Sequence, residues 1–75
     1  MEKKIYSNDD IGQVRKDFRR LRKLKKLSRK DVAERSWTLT ERWVRWFEDG
    51  LGEPPLAKVC EAFSAIGETI TIGQK

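Results

Sequence analysis

The stretch from Leu27 to Gly50 constrains this chain most. Ser28 stands where a helix N-cap belongs, and Asp31 follows three residues later, the position of a capping-box partner. Val32, Ala33 and either Ser36 or Trp37 then fall on one helical face. Thr38-Leu39-Thr40 interrupts the pattern as a polar break. A further short helix carries Val44 and Phe47 inward and stops at Gly50, which can turn left-handed without penalty. The stretch therefore predicts helices over 29–36 and 41–49 with a tight connection between them. Thr40 is the expected cap of the latter, and Thr38 with Glu41 is a competing capping box.

Punctuation places the remaining elements. Ser7 or Asn8 can cap an earlier helix, with Asp9 and Asp10 near its positive end. That helix should run to about Lys25. Its buried stripe is Ile11, Val14, Phe18 and Leu21, while Arg15, Lys16, Arg19, Lys23 and Lys26 fall mainly on the other side. Arg22 is the exception, because a 100° step per residue places it near the apolar stripe. A buried guanidinium needs a carboxylate, and Glu48 is the candidate. Pro54 and Pro55 belong before or at the first turn of a helix from about Leu56 to Ala65. Leu56, Val59, Cys60, Phe63 and Ile66 make its expected core face, and Gly67 closes it.

Beyond Gly67 the period changes. Thr69-Ile70-Thr71-Ile72 alternates β-branched residues, which is a strand signal. No partner strand is obvious within the chain, since residues 1 to 6 read only as short and extended. An open edge is most simply covered by the same strand of a second copy.

Seventy-five residues allow one domain, spanning 1–75, with a small core. Ten Lys or Arg and one acid lie between Arg15 and Lys30, within a formal net charge of +5. From Trp46 onward there are five acids and two bases. A basic stripe of this kind suits an anionic partner, most often nucleic acid. Cys60 has no second cysteine to pair with and no His is present, so an internal disulfide is excluded and the commonest general base and metal ligand are missing. No glycine-rich phosphate loop or paired catalytic carboxylates stand out, so an enzyme is not expected, nor is a cofactor or metal. No apolar run approaches membrane-spanning length, and Met1-Glu2-Lys3-Lys4 lacks a signal peptide's apolar segment, so the expected location is cytoplasmic.

Two short helices, a tight turn and arginines on the outer face of the latter make a helix-turn-helix pattern. Leu27 to Glu34, then Val44, Phe47, Glu48 and Gly50, then Pro54 and Leu56, and finally Ala62, Ile66 and Gly67 resemble the Xre or lambda-repressor-like family. Lys4-Ile5-Tyr6-Ser7 and Glu68-Thr69-Ile70-Thr71-Ile72 look like the ends of HipB-type antitoxins. The resemblance implies an all-α, four-helix bundle whose short C-terminal β-strand pairs across a homodimer, with residues 68–73 as the dimerisation strand and Thr69, Ile70, Thr71 and Ile72 in the contact. It implies operator binding, repression of a toxin–antitoxin operon and capture of a HipA-like kinase toxin. Matched residue by residue, base-edge contacts fall to Glu41, Arg42, Arg45 and Trp46, with Trp46 against a thymine methyl group. Arg29, Lys30 and Thr40 match phosphate-contacting positions. Arg22 and Glu48 fall where the family often places an internal salt bridge. Three features depart from the pattern: the connection is one residue longer, the turn glycine is replaced by Trp37 and Thr38, and the third helix carries Trp43 and Trp46. Packing in the core is the simpler role for Trp37 and Trp43. The alternatives are a protein-interaction module, or another Xre-type regulator, such as a phage regulator, without a toxin partner.

Overall fold

The structure is a computed structural model that describes the backbone of residues 4–7 and 10–73, and the side chains of Tyr6 and residues 10–71. The element order is β1 (Lys4–Ser7), α1 (Ile11–Leu24), α2 (Arg29–Arg35), α3 (Glu41–Asp49), α4 (Leu56–Ala65) and β2 (Ile70–Gly73). The described residues are thus mostly helical, with four helices and a short two-stranded ribbon.

The helix boundaries follow from backbone groups that need partners. In α2, the Asp31 N–H donates to Ser28 Oγ at 3.0 Å and the Ser28 N–H donates to Asp31 Oδ2 at 2.8 Å, completing the capping box. These bonds, the Ser28 backbone N–H foremost, hold the Asp31 carboxyl below its usual range. In α3 the Trp43 N–H donates to Thr40 Oγ1 at 3.0 Å, so Thr40 is the cap. Three helices end alike, with a left-handed residue and paired return hydrogen bonds: Lys26 after α1, Gly50 after α3 and Gly67 after α4. Lys26, at φ 57°, holds a conformation that favours glycine. At the start of α1 the cap is Asp10. Ser7, one of the two expected caps, instead ends β1, three residues before that cap. Asn8, the other, and Asp9 lie outside the described residues.

The core joins all four helices. Val14 and Phe18 of α1 meet Val32 of α2, Val44 and Phe47 of α3, and Val59, Ala62 and Phe63 of α4. Phe18 sits edge-on to Phe47 at 5.5 Å and to Phe63 at 5.4 Å, the geometry that ring quadrupoles favour.

Several expectations are corrected. Trp37 is not core but 95% exposed, because α2 stops at Arg35 and the chain leaves the helix before reaching it. Leu39, read as part of a polar break, is buried in the core. Cys60, expected on the α4 core face, is exposed, whereas Val59, Ala62 and Phe63 are buried there. β2 does have a partner within the chain: it pairs in parallel with β1, in the register Lys4↔Ile70 to Ser7↔Gly73. A parallel pair requires a long crossover, and the helical bundle supplies it. The strand begins at Ile70, leaving Glu68 and Thr69 of the expected 68–73 outside it. Ile70 is buried against this chain's own core, so its covering does not require a second copy. The Ile72 side chain lies outside those described. Tyr6 packs on Phe63, and its hydroxyl donates to Asp17 Oδ2 at 2.7 Å. Burial first, and that bond second, push the Tyr6 phenol well above its ordinary range.

Candidate nucleic-acid interface

The candidate site is the outer surface of α3, and its geometry begins with how α3 is fastened. Glu48 points inward with a fully buried side chain. Arg22 of α1 grips it twice, Nε to Oε2 at 2.6 Å and Nη2 to Oε1 at 2.9 Å. The third Arg22 nitrogen donates to the Leu27 carbonyl at 2.8 Å, which ties the α1–α2 connection into the same cluster. Arg29 donates to Glu48 Oε1 through Nη2 at 3.2 Å and Nε at 3.3 Å, and Arg19 Nε stands 4.0 Å away. One buried carboxylate therefore organises arginines from α1 and α2. Among the described residues no buried side-chain polar atom lacks a partner, the condition for a tolerable buried charge. Arg15 adds a further tie: its Nε donates to the Phe47 carbonyl at 2.7 Å, near the C-terminal end of α3.

With Val44, Phe47 and Glu48 turned inward, helical spacing turns Arg42 outward, and Arg42 is exposed. Arg42 divides the surface into two clefts. On one flank Arg29, Glu41, Arg42 and Arg45 line a cationic cleft. On the other, Thr40, Arg42, Trp43 and Trp46 line an aromatic one. Arg45 is largely exposed and lies 3.7 Å from Asp49 one turn on. Trp43 stacks on Phe47 at 5.3 Å and is half-buried, as a packing residue should be.

The sequence-predicted residues thus divide into groups. Glu41, Arg42, Arg45 and Trp46 share one surface with Thr40, whose hydroxyl is also the α3 cap. Arg29 reaches that surface but is engaged with Glu48 and stands 3.9 Å from Asp49. Lys30 is exposed and lines neither cleft. Ile70 and Thr71 belong to β2, which pairs with β1, and Thr69 precedes it.

Glu61 was not legible in sequence. From α4 it accepts the Thr38 N–H at 2.6 Å, the Trp37 N–H at 2.7 Å and the Thr38 hydroxyl at 2.8 Å. These bonds, led by the Thr38 backbone, hold its carboxyl below the usual glutamate range. The α2–α3 connection is thus held in shape by a carboxylate on another helix. Arg15 and Arg19 were also passed over as ties. The clue was their spacing, since Arg15 lies seven residues and Arg19 three residues before Arg22.

Among the described residues no group of His, Cys, Asp and Glu is arranged to hold a metal ion, and no helix is long and apolar enough to cross a membrane. No family model, curated protein or solved structure matches the chain.

Proposed function

We propose that this chain is a sequence-specific DNA-binding repressor in which α2 and α3 act as a helix-turn-helix and α3 lies in the major groove. The observation that carries this reading is Arg42 and Arg45, exposed on the outer face of a helix whose opposite face is fastened by a buried ion pair. A helix held this way presents guanidiniums in a fixed frame, as bidentate pairing with guanine requires. Arg29 and Lys30 stand at the start of α2, where they would meet the backbone. Arg29 can leave Glu48 for a phosphate, because Arg22 alone still pairs both carboxylate oxygens.

Repression of its own operon, two-fold pairing with a second copy and capture of a HipA-like kinase toxin complete the proposal, on the strength of the resemblance at the two ends. The ribbon has two strands, so each keeps one edge without a neighbouring strand among the described residues. β2 can extend the ribbon with its counterpart in a second copy, setting half-sites about 34 Å apart or a multiple of that. Exposed Trp37 favours a protein contact in addition, at a surface where a toxin or another regulator would dock.

The test is binding to the upstream region of its own gene against random duplex over a range of salt. Preference for the upstream duplex, with affinity falling steeply as salt rises, is the expected result. Equal binding to both leaves a protein-interaction module as the better reading.

A further inference from the structure

The fold splits the basic stripe of α1 in two. Arg15, Arg19 and Arg22 are spent on α3: Arg15 donates to the Phe47 carbonyl, Arg22 pairs with Glu48, and Arg19 stands 4.0 Å from the same carboxylate. The residue after each of them is also cationic, and a step of about 100° carries it farther round the helix, away from α3. These residues are Lys16, Arg20 and Lys23. Lys16 and Arg20 stand two residues before and after Phe18, so they lie on the side of α1 opposite that buried ring. From Lys16 to Lys23 every exposed residue is cationic. Among the described residues Lys16 and Lys23 meet no carboxylate, and Arg20 reaches Asp17 at 3.9 Å. Asp17 already accepts from Tyr6 and Gln13.

A merely solvated face gains nothing from such a row. Like charges four residues apart repel and weaken a helix, as Lys16 and Arg20 do, and Arg19 and Lys23. Alternating signs would be solvated as well without that repulsion. A polyanion laid along the row removes it. Lys16 and Lys23 are separated by about 10 Å along the axis, at roughly 1.5 Å per residue. That is the axial rise of about three phosphates on one strand of a duplex. Nothing crowds the N-terminal end of the row, because Gly12, one turn before Lys16, has open space where a β-carbon would stand. A membrane surface would ask for apolar side chains among the cations, and the row holds none. We infer that Lys16, Arg20 and Lys23 form a second phosphate-binding surface, which takes the backbone of a second duplex while α3 engages the first. One molecule then joins two segments of DNA. The joining rests on the duplex-binding reading above.

The test uses the whole chain and two duplexes. One, selected by the parent protein from a random pool, is immobilised; the other, of unrelated sequence, is labelled and free. The parent should retain the labelled duplex on the immobilised one. Retention should fall roughly fortyfold between about 50 and 200 mM salt, as three phosphate contacts require. Lys16→Gln, Arg20→Gln and Lys23→Gln together should abolish retention, while the selected duplex alone is still bound with its affinity and sequence preference. Arginine at positions 16 and 23 should preserve retention, since charge and not packing makes the contact. Retention that survives the triple change overturns the second surface. So does a matching loss of selected-duplex binding, because the row then touches the same duplex as α3. Vesicles rich in phosphatidylserine that bind the parent more tightly than duplex does, and the triple variant not at all, assign the row to a membrane and overturn it too. Should the triple variant fail to fold, Lys16→Gln with Lys23→Gln decides, since neither lysine has an ion-pair partner to lose. A pool that yields no preferred sequence removes the α3 reading, and the joining with it.

Discussion

The two flanks of α3 are made by different physics. The cationic flank leans toward α2 and is ordered by charge, with Arg29 shared between Glu48 and the surface and Arg45 near Asp49. The aromatic flank leans toward α4 and is ordered by shape, with indoles wedged against Phe47 and Gly52. Charge acts over a distance and is screened by salt, whereas packing acts only at contact and is not. One helix can therefore present a surface felt at a distance beside one felt only at contact, with Arg42 lining both.

The largest expected effect breaks what both flanks share. Glu48→Gln leaves Arg22 buried without its counter-charge and should cost about 3–5 kcal/mol. Chemical denaturation of parent and variant checks this, and equal stability would show that Glu48 is not the anchor of α3. Next come the arginines: Arg42→Ala and Arg45→Ala should each lose about 1–3 kcal/mol of discrimination at a defined base pair, read in competition against single-base variants of the selected duplex. Arg29→Ala should instead weaken binding to all duplexes alike and lower the salt slope by about one. A sequence-dependent loss there would place Arg29 with the base-reading arginines instead.

The smallest effect concerns the connection before α3. The Glu61 carboxyl titrates below its ordinary value of 4.5, so its hold on the Thr38 and Trp37 N–H groups is complete above that pH and is lost as pH falls through the folded value. Glu61→Gln should lower the melting temperature at neutral pH by much less than Glu48→Gln, and the gap to the parent should narrow in acid. A gap that stays constant down through the acid range would mean the carboxylate's charge is irrelevant to the turn.

What was legible in the sequence was local or periodic. Thr40 and Gly50 bracket α3, and Pro55 and Gly67 bracket α4, because caps and left-handed stops act within a few residues. Arg22 announced its partner because an apolar stripe cannot hold an unpaired guanidinium. What escaped was decided between distant segments. Trp37 is exposed and Leu39 buried because the chain leaves the helix after Arg35, and helical spacing no longer decides which side chain faces the core. Cys60 falls at the edge of the α4 stripe that Val59, Ala62 and Phe63 bury, and which edge faces the core is set by how the helix packs. Glu61 on the turn, Arg29 on Glu48 and β1 beside β2 each join residues whose nearness exists only once the helices have packed.

The ribbon has a kinetic consequence. Its strands are the two described elements farthest apart along the chain, so closing it fixes the largest loop in the molecule and rewards that closure with only four residue pairs. Loop-closure entropy therefore predicts that it zips last during folding, after the helices have brought Tyr6 toward Phe63, and peels first in native fluctuations. Amide protons of β2 should exchange with solvent through local opening, ahead of those in the middle of α1 and α3, and each such opening momentarily presents both edges of β2 to another strand.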